Sequence, residues 1–345
     1  MNRHAVVLAL LSAALFGIST PAAKALLGQI SPTILAGLFY CGAGVGITII
    51  RRARSDTTEA RLGRRELPWL AAAILAGGIV GPLLLMTGLS VTDAATASLL
   101  LSLEGVATAL IAWFVFRENF DSRVAAGMGC LVAGALVLSW TGMPTLPGLL
   151  GPAAIVAACV AWGLDNNLTR KVSLSDPLQI VQLKGLVAGP FLLALGFLTG
   201  DSLPRLTVAL LAGAVGFVGY GVSLALFVLA LRHLGAARTG AYFSIAPFLG
   251  AVAAILFLHE PITVQLVLAG VLMGAGVWLH LTEDHEHEHE HEPMEHSHPH
   301  VHDEHHQHEH LPSDPPEEPH SHAHRHPRMR HRHAHVPDMH HLHRH

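Results

Sequence analysis

Charge is scarce in this chain. Asp, Glu, Lys and Arg make up 13% of its 345 residues, about half of the roughly 25% of a soluble domain. Many of those charges sit in the tail after Thr282, so the deficit over the rest is deeper still. Cysteine is almost missing. Cys41, Cys130 and Cys159 each lie inside an apolar run and none forms a CxxC pair, which excludes a disulfide framework and a thiolate metal site and leaves small buried hydrophobes as their reading. There is no phosphate-binding P-loop and no Gly-x-Ser-x-Gly elbow. An enzyme is therefore not expected, no cofactor is required, and work done by this protein would draw on an ion or solute gradient. Nothing marks a nucleic-acid binder. What the chain has is hydrophobicity, 51% of residues with a mean hydropathy of +0.45.

Before Thr282 long apolar runs follow one another with short polar breaks. A bilayer core takes about 20 apolar residues per helix, and the runs predict ten spans near 5–27, 33–50, 68–89, 94–116, 123–140, 148–169, 177–199, 205–231, 237–258 and 262–281. The first is too long for the apolar region of a secretory signal and reads as a membrane helix. Pro21, Pro82, Pro190 and Pro247 lie inside spans and mark kinks or breaks. With the N-terminus in the cytoplasm, the cytosolic loops collect 13 basic residues, among them Arg3, Arg51, Arg52, Arg64, Arg65 and Lys171, against Lys24 and Arg205 outside. That asymmetry predicts an inner (plasma) membrane protein with both termini cytoplasmic.

The chain repeats itself. Phe16-Gly17 with Lys24 lines up with Trp162-Gly163 and Arg170, and Thr92–Gly134 aligns with Leu234–Gly276 at a constant offset of 142, pairing Ala95 with Ala237, Ser102 with Ser244 and Glu118 with Glu260. Five spans per half is an odd number, so the second half enters the membrane from the opposite side. Inverted repeats of this kind are common in secondary transporters. On these residues the chain resembles the drug/metabolite transporter superfamily, and within it the EamA-type exporters. The resemblance implies an all-α polytopic membrane protein of ten transmembrane helices as two inverted five-helix repeats, 1–140 and 148–281. It also implies a central cavity lined by spans 1, 3, 4, 6, 8 and 9, with alternating access to a small-molecule substrate. A second copy of the chain is a candidate partner beside the lipid bilayer.

Charged groups inside a bilayer are costly and are functional candidates by default. Glu104 lies mid-span with Thr108 one turn on, the pattern of a proton- or cation-binding carboxylate; a structural hydrogen bond is the rival account. Asp165, with Asn166 and Asn167, follows Trp162-Gly163 and could contact substrate or serve a helix end. Lys184, near Gln179 and Gln182, could pair with Asp165 or Glu104, neutralise a substrate carboxylate, or snorkel to the interface. Trp162 could stack on a substrate or pack in the core. Lys24, Arg170, Glu118 and Glu260 sit at span ends, where anchoring, dipole and turn roles prevail. His259 beside Glu260 supplies too few ligands for a metal site.

The tail, 283–345, is different. His285 to His345 hold 23 of the 27 histidines, beginning with His285, His287, His289 and His291 in alternation with Glu and broken later by prolines. This composition cannot bury a core and predicts a disordered cytosolic segment. Neutral imidazoles suit Ni, Zn, Co and Cu at low specificity. Three functions stay open. The chain is an exporter of small organic metabolites, a divalent metal exporter with the tail as collector or sensor, or a membrane-tethered metal store.

Overall fold

A computed structural model describes residues 3–53, 62–115, 122–140, 146–172, 175–234 and 242–281, and in the tail 286–291, 294–300, 320–326 and 329–334. The body is helical throughout: α1 (Arg3–Leu27), α2 (Pro32–Ala53), α3 (Leu67–Ala73), α4 (Gly81–Ser90), α5 (Ala94–Leu100), α6 (Leu103–Phe114), α7 (Ser122–Ser139), α8 (Leu146–Arg170), α9 (Pro177–Leu198), α10 (Leu206–Gly216), α11 (Ser223–Leu234), α12 (Ala246–Leu258) and α13 (Val264–Leu281). Among the described residues, seven continuous stretches are long and apolar enough to cross a membrane, and three shorter apolar helices accompany them. This is a polytopic membrane protein.

Not every expected span is one plain helix. Between α3 and α4 the segment Ile74–Val80 winds as a π-helix, and between α10 and α11 Phe217–Val222 does the same. The Gly81 amide donates to Ala76 and the Ser223 amide to Val218, five residues back in each case. The span expected over 94–116 breaks at Leu101–Ser102, separating α5 from α6. In the ninth span, expected over 237–258, residues 242 and 243 are helical, a turn follows at 244–245, and α12 starts at Ala246 with Pro247 in its first turn, where a missing N–H costs nothing; residues 237–241 lie outside the described residues.

Small residues set the packing. Gly42, Gly44, Gly185 and Gly189 let helices approach until a methyl group on any of them would meet neighbouring backbone, and α2 and α9 form the most extensive of these contacts. Close approach of this kind is how helices associate in lipid. The contacts also come in matched pairs. Gly134 of α7 lies on Ala269 and Met273 of α13, while Gly276 lies on Gly127 and Leu131, and every one of these positions is related by the offset of 142. Gly163 lies on Ala107 and Thr108, and Gly17 on Ala246 and Gly250. Gly77 of the first π segment packs against Asp165, and Gly219 of the second against Ser19. The repeat is thus three-dimensional, with each half lending its first helix to the other half's π segment.

In the tail, β1 (Glu286–His291) pairs antiparallel with β4 (Met329–Ala334), and β2 (Met294–His300) with β3 (His320–His326). The register sets Glu288 opposite Arg332, Glu290 opposite Arg330 and Glu295 opposite Arg325, and opposite charges across strands favour pairing. His287, His289 and His291 fall in β1, whereas His285 and Glu118 lie outside the described residues.

Candidate functional site

The first π segment builds the site. Because the Gly81 amide reaches back to Ala76, the Gly77 carbonyl loses its usual partner, and Pro82, five residues on, has no N–H to offer it. Two side chains take it instead: Tyr40 Oη donates at 2.7 Å and Trp162 Nε1 at 2.9 Å. Trp162 is buried, its indole against Gly81. It holds the π turn in place. π segments recur at functional sites for this reason, since they release backbone groups that a regular helix consumes.

Asp165 comes down on Gly77, where a Cβ would collide with its carboxylate. Lys184 of α9 donates to both Asp165 oxygens, at 2.6 and 2.8 Å, and to Thr169 Oγ1 at 3.0 Å; Thr169 in turn donates to Asp165 at 2.8 Å. Both side chains are nearly buried. The ion pair is therefore closed on itself and joins α8 to α9. Gln182 does not join Lys184; it accepts from Arg51 and donates to Thr48, while Arg51 also bridges Asp176 at 2.9 Å. Gln179 accepts from the Leu62 amide.

Glu104 is different. It stands in the first turn of α6, immediately after the break in the span, where the helix N-terminus favours a negative charge. Its carboxylate accepts from Asn166 Nδ2 at 2.9 Å, and Asn166 also donates to Thr108 Oγ1 at 3.2 Å. No cation lies within ion-pair distance of it among the described residues. Asn166 is exposed although it sits in the interior half of α8. The lipid-facing stripe of α8 runs Ala153, Ala157, Val160, Leu164, and Asn166 is about 200° around the helix from Leu164. It points away from that stripe.

α5 packs against α1 and α12, but α6 packs on α8 and has no comparable interface with α1, α11 or α12 among the described residues. Glu104, Thr108 and Asn166 form one hydrogen-bonded group between α6 and α8. Elsewhere in the bundle an aromatic cluster forms in which Tyr220, from the second π segment, meets Phe16 at 5.8 Å, Phe39 at 5.6 Å and Tyr40 at 5.6 Å, and Phe16 meets Phe243 at 5.4 Å.

At the other end the turn between α4 and α5 is held by two groups whose sequence position suggests only anchoring or turn roles. α12 ends at His259, whose left-handed backbone (φ 54°) turns the chain and delivers Glu260 to the start of α5. Both Glu260 oxygens accept there, from the Ala94 and Ala95 amides, each at 2.7 Å. Lys24, at the end of α1, donates to the carbonyls of Leu89 and Thr92 at 2.8 Å each. The turn between α4 and α5 is clamped on both flanks, each charge matched to the helix end whose dipole favours it.

No group of three or more His, Cys, Asp or Glu side chains suited to a metal occurs among the described residues. The family profile described as the EamA-like transporter family matches residues 3–140 and again 149–282. An "Uncharacterized transporter" of Methanothermobacter thermautotrophicus is 29% identical over 282 residues, 76% of this chain and 82% of its own length. A "Probable amino-acid metabolite efflux pump" of Salmonella typhimurium is 25% identical over 306 residues, 81% of this chain and 96% of its own. One solved structure shares the fold at a TM-score of 0.63 and 18% identity, covering 82% of this chain and 99% of that one.

Proposed function

We propose that this chain, which belongs to the EamA-like transporter family, is a ten-span secondary transporter built from two inverted repeats, and that it exports small organic solutes across the inner membrane by alternating access. The observation that carries the reading is the turn between α4 and α5, clamped by Lys24 and Glu260 at one end of the bundle, together with Glu104 held by Asn166 just after the break between α5 and α6. Alternating access needs one end held shut while the other admits solute, and Lys24 and Glu260 supply the means at the far end. The matched contacts of the two repeats support a mirror-image arrangement in which the same packing closes the near end. The basic loops favour cytoplasmic termini, and in this scheme solute is loaded from the cytoplasm.

Glu104 is the coupling residue in this scheme. A proton or a cationic solute neutralises it, and the neutral site then moves across the membrane at lower cost. The test is uptake of a mixture of radiolabelled amino acids and amines by everted vesicles over a range of pH. Wild-type protein is expected to accumulate at least one solute above vector vesicles, in a pH-dependent way. Glu104→Gln keeps an acceptor for Asn166 and removes the charge. It should lose the pH dependence, and an unchanged profile in a correctly inserted variant refutes the role.

A second reading rests on the 23 histidines of the tail, among the 27 of the chain. The tail would gather Ni, Co or Zn at the cytoplasmic mouth, as collector for a metal exporter or as a sensor that sets transport activity. Removing residues 283–345 separates the two readings, because only a metal exporter should lose metal tolerance with it.

A further inference from the structure

We propose that the tail is a hairpin closed by metal, in which a borderline divalent transition metal binds at two register-defined sets of four histidines. One set is His287, His289, His331 and His333 between β1 and β4; the other is His296, His298, His322 and His324 between β2 and β3. This rests on the tail reading above and sharpens it from a diffuse chelator to a defined site; what the bundle carries does not enter. The first observation is a single register. Partner residue numbers add to 620 in both ladders, from Glu286 with Ala334 to His291 with Met329, and from Met294 with His326 to His300 with His320. The two ladders therefore share the register of one antiparallel hairpin. Between them the sequence keeps the same register, with Glu292 matched to Arg328 and Pro293 to Pro327; these four lie outside the described residues.

The second observation is how that register sorts the residues. His stands opposite His at 287/333, 289/331, 296/324, 298/322 and 300/320, and Glu opposite Arg at 288/332, 290/330 and 295/325. No histidine is set against a charged residue and no like charges oppose each other. Strand positions alternate between faces, so the histidine positions share one face of each ladder and the Glu–Arg pairs the other. A slip of one residue would set His287 and His289 against arginines. Charge along the tail is segregated to match: all five of its arginines, from Arg325 on, follow the 13 acidic residues of 283–318.

Directly opposed positions lie about 5 Å apart, and positions i and i+2 about 7 Å apart. Two successive His pairs thus place four imidazoles within reach of one ion. Zn takes four nitrogen ligands tetrahedrally, and Cu or Ni takes a planar set. Mg and Ca prefer oxygen, and three of the carboxylates in the ladders are matched to arginines. A lone two-stranded hairpin is marginal in water, and closing residues 301–319 costs entropy. Metal binding supplies folding free energy, so ion and strand pairing form together.

The experiment uses the full-length protein in detergent, Zn as the probe, and a competing chelator that silences loose binding. About two tight Zn ions per chain are expected, and hydrogen exchange in the peptides 286–300 and 320–334 should slow on loading. The decisive variants keep composition and change position. His331→Arg with Arg332→His should lose one tight Zn, and adding His322→Ala with Ala323→His should lose the other, although all 23 tail histidines remain. No slip of either strand restores two successive His pairs in these variants. Unchanged Zn stoichiometry in the combined variant overturns the inference and leaves the tail a diffuse chelator, as does Zn binding without slowed exchange. If the wild-type protein holds no Zn, the tail reading falls as well.

Discussion

Replacing Glu260 by alanine removes both acceptors from the first turn of α5. Each bond is 2.7 Å long and charge-assisted, and it joins a carboxylate to orphan amides at a helix N-terminus, which favours negative charge. Loss of a helix cap costs about 1–2 kcal/mol, and the second bond with the charge adds to it, so about 2 kcal/mol is a conservative figure for the shut end. A conformation open at that end makes no use of this contact, so the cost falls on one conformation only. About 2 kcal/mol is roughly 30-fold in the opening equilibrium. Ser98, one turn into α5 and buried, reports it. With Cys41, Cys130 and Cys159 replaced, Ser98→Cys should react with a membrane-impermeant thiol reagent about 30-fold faster from the outer face when Glu260→Ala is added. Glu260→Gln keeps one acceptor and should fall between the two. Unchanged labelling in a stably inserted Glu260→Ala protein refutes the clamp.

Three further outcomes follow from the same geometry. Asp165→Asn leaves Lys184 buried without its counter-charge and should cost about 3 kcal/mol in thermal unfolding, whereas Asp165→Asn with Lys184→Gln should recover part of it; equal costs would show that the pair is not a closed unit. Gly77→Ala drives a methyl into the Asp165 carboxylate and should lower the unfolding midpoint sharply, while Gly129→Ala, with nothing within 4 Å of the added carbon, should be neutral or mildly stabilising; similar effects at both sites would contradict the packing described. Truncation after Thr282 should abolish binding of Ni or Zn to the purified protein, read by equilibrium dialysis, and leave organic-solute counterflow intact. Loss of counterflow with the tail would make the tail part of the transport machinery.

Much of the site is legible in the sequence. Intramembrane charge alone singles out Glu104, Asp165 and Lys184, because lipid makes an idle charge expensive. Which of them pair is not legible. Lys184 has two acidic residues to choose from, and only the placement of α8 beside α9 gives it Asp165 and leaves Glu104 to Asn166. Tyr40 carries no signal of its own, since its role depends on a carbonyl freed elsewhere. A signal for that carbonyl does exist: Pro82 five residues after Gly77, with a second glycine at the same register, Gly219. Glu260 is visible as half of a duplicated pair with Glu118, yet its role needs the positive φ at His259, which no spacing reveals.

The sequence by itself determined that this chain lives in a membrane, that it is duplicated, and that a charged group lies deep within it. These follow from composition and period, because the bilayer penalises each unpaired polar group wherever it falls along the chain. Tertiary structure alone decided which charges pair, where the helices open into π turns, and which end of the bundle is clamped. Those depend on distances of a few ångströms between residues 19 to 166 positions apart in the sequence, and hydrogen bonds and ion pairs are satisfied or orphaned over that range.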